Sequence, residues 1–403
     1  MSQTTVAAVQ NFAPLKNQRF AVLDAWRGLC ACLVAIVHVP VAHTFYADTW
    51  FTNMQLFVDF FFVLSGFVIC HAYAERVSTG REFGGFMIRR FGRIYPLHAV
   101  VLAGFVAFEL AKVVVEGALN LSLDGAAFSG NRSIATLISN IFLVQSFNLH
   151  GMTSWNGPAW SIGVEFYTYA VFAAAVMALG ARPIVFAALA AIGLAGVVYG
   201  SEAWLFTTHD YGFFRCLFGF FTGCLVYSLV TAGPPRWVMH RAAEFVVVAL
   251  LIAYLAWTGR TPSSLIAPLI FAALVYVFAF EAGAISKILK MTWAQALGLW
   301  SYSIYMVHML LFAPLKVLMT LAVKYGWMGV SLAVSGPVKM WSFGAAGLDA
   351  LAVFAALAGS VVLAAWTFRL VERPARDWFA QRAQRFEQSP QSVARSGATA
   401  QLA

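Results

Sequence analysis

The chain has 403 residues, of which 61% are hydrophobic and only 11% are charged. Soluble domains carry roughly 25% charged residues, so this chain has too little polar surface to coat a globule in water. The composition therefore predicts an integral membrane protein and excludes an ordinary soluble enzyme. The net charge of +9 comes from basic residues in a few loops, which is typical of loops that face anionic lipid, and no nucleic-acid partner is expected.

Apolar runs long enough to cross a bilayer recur along the whole chain. A membrane helix needs about 20 apolar residues, and runs of that order lie near residues 22–45, 54–74, 97–115, 158–180, 184–200, 212–230, 243–258, 263–281, 295–320 and 346–370. They predict an all-α fold, a polytopic membrane helix bundle of about ten transmembrane helices. We expect three regions: a cytoplasmic N-terminal tail at 1–20, an integral membrane domain at 21–376 and a cytoplasmic, largely disordered tail at 377–403.

A shorter apolar run at 134–148 decides the orientation of the later loops. Arginine-rich loops such as residues 74–96 should face the cytoplasm under the positive-inside rule. If residues 134–148 crossed the membrane, the later basic loops would fall on the opposite side. If they do not cross, all basic loops lie inside together. We therefore expect this run to be re-entrant or packed on the outer face, with both chain termini cytoplasmic.

The first apolar run carries two ionisable residues, Arg27 and His38. An ionisable group inside a membrane helix costs at least ~2.5–3.5 kcal/mol, which makes each one a functional candidate. At about 100° per residue, their separation leaves about 20° after three full turns, so both side chains share one helix face about 16 Å apart. Imidazole suits proton transfer near neutral pH, and we expect this face to line one cavity. The alternative is a snorkelling arginine and a histidine bonded between helices.

Two further polar positions lie in the second run, "FVDFFFVLSGFVI". Asp59, at its outer start, could orient His38 or pair elsewhere, and the alternative is a simple carboxylate at a helix N-terminus. Ser65 and its neighbour Gly66 are small residues that allow two helices to approach each other closely.

A basic segment, "RRFGRIYPLH", precedes the third run and is expected to form a short cytoplasmic helix. Arg89 and Arg93 are four positions apart and share a face, and Tyr95 and Pro96 should then turn the chain into the membrane. Arginine suits bidentate contact with phosphate, so the segment is a candidate anion clamp made of Arg89, Arg90 and Arg93. Alternatively, it is only a topology signal that contacts lipid headgroups.

Two polar stripes complete the candidate site. In "NGPAWSIGVEFYTY", Glu165 is a carboxylate inside an apolar, aromatic helix, where it needs a partner or a function. Ser161 and Tyr169 lie four positions to either side and share its face. In "WSYSIYMVH", three polar residues align at i, i+4 and i+7: Ser301, Tyr305 and His308. The cysteines show no metal-binding spacing, so no metal site is expected.

Taken in order, these motifs resemble the acyltransferase family 3 membrane proteins. The resemblance rests on "LDAWRGLCACLVAIVHV", "FFVLSGFVI", "RRFGRIYPLH", "WSIGVEFY", "SYSIYMVH" and "VERP". Each motif is weak alone, but together they cover roughly residues 20–376 in the family's order and spacing. Within the family, the chain is similar to the stand-alone exopolysaccharide acetyltransferases.

The resemblance implies a membrane-bound O-acyltransferase of the bacterial inner membrane. Its donor would be acetyl-CoA or another acyl-CoA, and its acceptor a hydroxyl of an extracytoplasmic or membrane-associated glycan or glycolipid, such as an exopolysaccharide or lipopolysaccharide. His38 would be the general base, Arg27 would hold the donor or help to shape the site, and Glu165 would be a further catalytic group. Arg90 and Arg93 would contact the donor phosphates. His308 and Glu372 would support the site.

A proton-coupled transporter or flippase is the main alternative, because such carriers also use intramembrane histidine and glutamate. A carrier predicts two halves related by an inverted repeat, and the sequence shows no such internal similarity. A purely structural membrane protein would have no need for so many buried ionisable groups. Hydrolysis or transfer of acyl-CoA by the purified protein separates the enzyme from both.

Overall fold

The computed structural model of the protein describes residues 18–42, 49–119, 126–240, 242–335 and 338–388. Most of the two predicted tails, at 1–20 and 377–403, lies outside the described residues. Within the described segments the chain is helical, with one small β-hairpin near the end of the membrane domain.

Long helices follow the predicted apolar runs. In chain order the helices are α1 (Ala21–Val37), α2 (Phe57–Tyr73), α3 (Gly80–Leu119), α4 (Ile134–Ile141), α5 (Trp160–Leu179), α6 (Pro183–Gly200), α7 (Gly212–Thr231), α8 (Ala243–Trp257), α9 (Ala267–Phe278), α10 (Ala284–Leu289), α11 (Thr292–Tyr325), α12 (Ala346–Thr367) and α13 (Arg373–Glu387). A helical turn, Thr49–Thr52, precedes α2. All of the helices except α4, α10 and α13 coincide with the runs predicted from the sequence.

Seven helical segments in the described residues are long and apolar enough to cross a membrane. They contain α2, α3, α5, α6, α7, α11 and α12 and identify a multi-pass membrane protein. The other three helices on predicted spans are shorter: α1 has 17 residues, α8 has 15 and α9 has 12. The α4 helix covers about 12 Å, which is too short for a crossing, in agreement with the prediction for residues 134–148.

One end of the bundle joins the start of α1 to the ends of α2 and α9. His71, near the end of α2, donates to the carbonyl of Gln18 before α1 (3.2 Å). The Val22 N–H donates to the carboxylate of Glu281, which follows α9 (3.1 Å). Because α1 begins where α2 and α9 end, α1 runs antiparallel to both.

The opposite end joins the start of α2 to the end of α8. Asn53, just before α2, donates to the carbonyl of Leu255 (2.9 Å). At the same end the N–H of Asn148, before α5, donates to the carbonyl of His209, after α6 (3.0 Å). These helices therefore alternate in direction along the chain, as successive membrane crossings require.

Helices α1 and α11 lie backbone against backbone and run parallel. A Cβ atom on Gly28 would overlap the backbone of Leu297, and one on Gly298 would overlap the backbone of Asp24. Small residues permit this approach, which is a common way of packing membrane helices. The contact places one face of α1 directly on α11.

Helices α2 and α7 pack in the same way. A Cβ atom on Gly66 would overlap the carbonyl of Phe220, and one on Gly223 would overlap the carbonyl of Val63. The close helix approach predicted from Ser65 and Gly66 is therefore confirmed, with α7 as the partner.

Helix α3 continues through Pro96 without a break, so the predicted turn at Tyr95 and Pro96 is wrong. Proline has no N–H for the carbonyl four residues earlier and normally kinks or ends a helix. In membrane proteins, packed neighbours compensate for the lost bond. Here neighbouring helices hold α3 beside the proline, since Phe379 packs over Gly92 and the hydroxyl of Tyr302 donates to the carbonyl of Ile94 (2.5 Å). Neither contact replaces the hydrogen bond that the Gly92 carbonyl loses.

The end of the described chain folds back on α3. A π-helical segment, Phe368–Glu372, follows α12 and leads directly into α13, which packs along the first half of α3. Residues 377–387, which the sequence places in the tail, lie in this helix. The tail beyond residue 388 lies outside the described residues.

A two-stranded hairpin covers the end of α1. Strands β1 (Ser331–Ser335) and β2 (Val338–Ser342) pair antiparallel. The N–H of Ala42 donates to the carbonyl of Trp341 (2.8 Å), and the Trp341 N–H donates to the carbonyl of Pro40 (3.2 Å). The all-α prediction therefore fits the helical bundle and is wrong for this hairpin, which ties down the segment that follows His38.

Candidate active site

A polar cavity of about 140 Å³ lies inside the bundle, between α1, α2, α3, α5 and α11. Its wall combines apolar side chains with three arginines, a glutamate, serines and tyrosines. Seven of the site residues predicted from the sequence line it: Arg27, Ser65, Arg90, Arg93, Ser161, Glu165 and Tyr305. Separate motifs therefore do converge on one site.

Arg27 reaches from α1 to α11. Its Nε donates to the hydroxyl of Ser301 (2.8 Å), and its Nη2 donates to the carbonyl of Gly298 (3.2 Å). Nη2 also lies 3.2 Å from the carboxylate of Asp24, one turn earlier on α1. The guanidinium is held in place at the cavity wall and does not snorkel to the membrane surface.

Arg90 and Arg93 enter the cavity from α3 in different states. Arg93 forms an ion pair with Glu372. Arg90 instead lies over the ring of Tyr73 (5.3 Å from centroid to guanidinium carbon) and donates to its hydroxyl (3.3 Å). The buried Nε of Arg90 has no hydrogen-bond partner among the described residues. Arg90 is thus the cavity cation with spare donor capacity.

Arg89 does not belong to this cluster. It does not line the cavity and forms an ion pair with Glu387 at the end of α13. Of the predicted clamp of Arg89, Arg90 and Arg93, two members line the cavity and Arg89 does not. The prediction grouped Arg89 with Arg93, because residues four apart share a helix face. In the structure, the face of α3 toward the cavity carries Arg90 and Arg93 instead, which are three apart.

Glu165 lies on the cavity wall with a short chain of hydroxyl groups. The hydroxyl of Tyr169 donates to Glu165 (2.8 Å), and Ser65 lies 3.0 Å from the same tyrosine oxygen. The predicted face of α5 that carries Ser161, Glu165 and Tyr169 is confirmed, since all three line the cavity. The carboxylate therefore has a hydroxyl partner and shares the cavity wall with three arginines.

Tyr305 closes the cavity toward the outer half of α11. Its hydroxyl lies 2.9 Å from that of Ser161 and donates to the carbonyl of Pro158 (3.0 Å). On its other side the Tyr305 ring lies against His308, with the ring centroids 6.1 Å apart. Tyr305 thus separates the arginine cavity from the histidines.

His38 lies directly after α1 and contacts the His308 ring, with the centroids 5.2 Å apart. Arg27 and His38 both contact α11, which confirms that they share one face of α1. Neither histidine lines the cavity, so the expectation that Arg27 and His38 line the same cavity is wrong. The separation follows from the helical rise between them and from the intervening Tyr305.

Asp59 has a partner other than His38. Its carboxylate accepts two hydrogen bonds from Arg215 on α7, one from Nε (2.9 Å) and one from Nη2 (2.7 Å). Both residues are buried. The guanidinium also lies 5.1 Å from the ring of Trp160. The sequence analysis missed Arg215, although an arginine within "GFFRCLFGFF" carries the same signal as the other intramembrane charges.

Glu372 supports the site from outside the cavity. It lies at the end of the π-helical segment and is buried, where it pairs with Arg93 and accepts a hydrogen bond from Ser303 (2.6 Å). π-helical turns are rare and occur frequently at functional sites. Here the turn sets the position of the carboxylate that holds Arg93.

The arrangement has two parts with different chemistry. The cavity offers fixed cations and hydroxyl donors, which suit an anionic or carbonyl-bearing ligand. The histidine pair offers imidazole nitrogens, which suit proton transfer. No cluster of three or more histidine, cysteine or acidic side chains that could hold a metal ion occurs in the part of the chain that the structure describes.

Comparison with known proteins agrees with the motifs. The family model of the acyltransferase domain, family 3, matches residues 20–369. "Protein 2 in picA locus" of Rhizobium radiobacter is 34% identical over 160 residues, which cover 39% of this chain and 82% of that protein. "Acyltransferase MdmB" of Streptomyces mycarofaciens is 30% identical over 171 residues, which cover only 40% of each protein. No solved structure shows a significant match. With most of its length matched by the family model, the chain belongs to acyltransferase family 3.

Proposed function

We propose that the protein transfers an acyl group, in the simplest case acetyl, from a cytosolic acyl-CoA to a hydroxyl of an extracytoplasmic or membrane-associated glycan. The observation that carries the proposal is a polar cavity inside an apolar bundle, with Arg27, Arg90 and Arg93 on its wall. Cations in a low-dielectric interior attract an anion strongly, and acyl-CoA is a polyanionic thioester. Family membership and the printed name of the Streptomyces relative support acyl transfer.

Arg90 is the side chain best suited to hold the donor. Arg27 and Arg93 have carboxylate partners, Asp24 and Glu372, whereas Arg90 contacts a tyrosine hydroxyl. A phosphate oxygen would give its buried Nε the acceptor that the described residues do not supply. The arginines would therefore bind the CoA phosphates.

The acyl group would then extend outward from the arginines. The cavity of about 140 Å³ is smaller than the roughly 300–1,000 Å³ of most ligand sites, so it would house only part of the donor. The pantetheine arm would follow the face of α1 from Arg27 to His38, a rise of about 16 Å. Tyr305 lies on this route, so its side chain would either move aside or form part of the wall along the pantetheine arm.

His38 would act as the general base. As the acceptor oxygen attacks the thioester carbonyl, the hydroxyl proton passes to His38. A new C–O bond forms, the C–S bond breaks, and His38 returns the proton to the departing CoA thiolate. Nδ1 of His38 lies 2.7 Å from the carbonyl of Val34, which leaves Nε2 as the basic nitrogen. Glu165 would balance the charge of the arginine wall while the donor binds.

We place the protein in the bacterial inner membrane with ten crossings and both termini in the cytoplasm. The end of the bundle that carries the start of α1 and the arginines of α3 would face the cytosol, where acyl-CoA is available. The end with His38 and the hairpin would face outward, toward the glycan. Ten helices on the predicted spans and their alternation support this orientation.

Substitution of His38 tests the proposal. We expect His38→Ala to lower acyl transfer by about 10²- to 10⁴-fold, the usual contribution of a general base, with unchanged expression and insertion into the membrane. The assay is CoA thiol release from acetyl-CoA by protein purified in detergent, together with mass spectrometry of surface glycans for the mass of an acetyl group.

His240→Ala is the matched control, because His240 is exposed in the loop between α7 and α8. It should retain full activity. Retained activity in His38→Ala would remove His38 from the mechanism. A wild-type protein that neither consumes acetyl-CoA nor changes the glycan would instead favour a transporter.

A further inference from the structure

His308 has a buried ring nitrogen for which the described residues supply no partner. The side chain is 0% exposed, and Nδ1 lies 3.2 Å from the carbonyl of Ile304. Since a carbonyl oxygen only accepts, Nδ1 carries the proton and Nε2 is a bare acceptor. No described residue donates to that Nε2. A buried acceptor without a donor is costly and points to a bound ligand or water.

His38 presents the same chemistry beside it. Its Nδ1 faces a backbone carbonyl in the same way (2.7 Å), so its Nε2 is also an acceptor. His38 is half-buried whereas His308 is fully buried, so His38 is the more accessible of the two rings. One hydroxyl has only one proton and cannot donate to two acceptors at once. Two neighbouring hydroxyls of one molecule can donate to both.

A third buried acceptor, on Asn156 before α5, lies against the same part of α11. The amide nitrogen of Asn156 donates to the carbonyl of Met306 (3.0 Å), which fixes the side chain there. Its Oδ1 has no partner among the described residues, and the residue is 1% exposed. This part of the bundle is therefore short of donors, and a hydroxyl-rich ligand supplies donors.

We propose that His38 and His308 together bind two neighbouring hydroxyls of the acceptor, of which the one on His38 is acylated and the one on His308 sets specificity. The inference rests on the proposed function and narrows it, since the acceptor must then be a vicinal diol, as in a sugar or polyol. The ring centroids of the two histidines lie 5.2 Å apart, which is close enough for one small molecule to contact both rings. His308 acts as a specificity-determining residue, and the base is His38.

The test compares 1,2-propanediol with 1-propanol as acceptors, because they differ only by the neighbouring hydroxyl. Purified full-length protein receives acetyl-CoA and either alcohol, and ester formation is followed by mass spectrometry beside thiol release. We expect the diol to be preferred at least tenfold in kcat/KM. His308→Phe should abolish the preference by raising KM for the diol, without changing KM for acetyl-CoA. His308→Asn, which retains an acceptor oxygen, should recover part of it.

Phe312→Leu is the matched control, since the Phe312 ring packs against His308 (5.8 Å between centroids) and offers no hydrogen bond. This variant should keep the preference. Equal use of both alcohols by the wild type, or a preference that survives His308→Phe, would overturn the inference. Thiol release without ester formation from either alcohol would overturn it too, while leaving donor chemistry intact. No consumption of acetyl-CoA at all would refute the proposed function, and this inference with it.

Discussion

Arg89 and Arg90 are adjacent in the sequence and lie in different environments. Neighbours on a helix point about 100° apart, so Arg90 lines the cavity whereas Arg89 does not and pairs with Glu387 on α13. Residue type and position along the chain make both arginines candidates for donor binding. The rotation of α3 against its neighbours distinguishes them, and no local pattern encodes that rotation.

We expect Arg90→Ala to raise KM for acetyl-CoA by roughly 10- to 100-fold, because a charged hydrogen bond contributes about 1.5–3 kcal/mol. The kcat should change less, since Arg90 lies on the part of the site away from His38. Arg89→Ala is the matched control: it removes a partly exposed ion pair, worth about 0–1 kcal/mol, and should leave KM nearly unchanged. Initial rates over a range of acetyl-CoA concentrations give KM and kcat for both variants. An equal rise of KM in the two variants would contradict the assignment of Arg90 to donor binding.

The pair of Asp59 and Arg215 shows what single residues reveal and what they hide. The sequence identifies Asp59 as a carboxylate at a membrane helix that could orient His38 or pair with another residue. Its partner lies 156 positions further along the chain, so periodicity and spacing could not identify it. Only the packing of α2 on α7 brings the two residues together.

At the scale of helices, glycine contacts set the distances within the site. Gly66→Ala would place a methyl group into the carbonyl of Phe220, and forcing α2 and α7 apart should destabilise the protein by about 1–3 kcal/mol or more. Gly117→Ala is the control, because a Cβ there meets open space and alanine favours a helix by about 0.5–1 kcal/mol. Thermal unfolding in detergent should show a lower midpoint only for Gly66→Ala, and equal midpoints would disprove the tight contact.

The helices on the ten apolar runs were predictable, because each run must bury its backbone in a helix to remain in lipid. Two elements were not. Pro96 was expected to break α3, but packing from other helices keeps the helix continuous, and that packing is non-local. The hairpin at Ser331–Ser342 joins the chain after His38 through backbone bonds to Pro40 and Ala42, and apolar runs carry no information about such bonds.

Across the whole molecule, the parallel pair of α1 and α11 organises the site as two layers. Arg27 meets Ser301 in one layer, and His38 meets His308 in the other layer. The shared face of α1 followed from helical geometry alone. The division into an arginine cavity and a histidine pair did not, because it depends on Tyr305, which another helix positions between them. In the proposed mechanism, the donor has to pass this residue to reach the acceptor at His38.

The proposal of ten crossings requires α8 to cross the membrane, although it has only 15 residues. The native cysteines are all buried, so single introduced cysteines report accessibility to a membrane-impermeant maleimide. Thr261→Cys, between α8 and α9, should react in intact cells. Arg236→Cys, between α7 and α8, should react only after permeabilisation. The reverse pattern would invert the orientation and put the arginine layer outside. Reaction of both variants from the same side would show that α8 does not cross, and ten spans would be wrong.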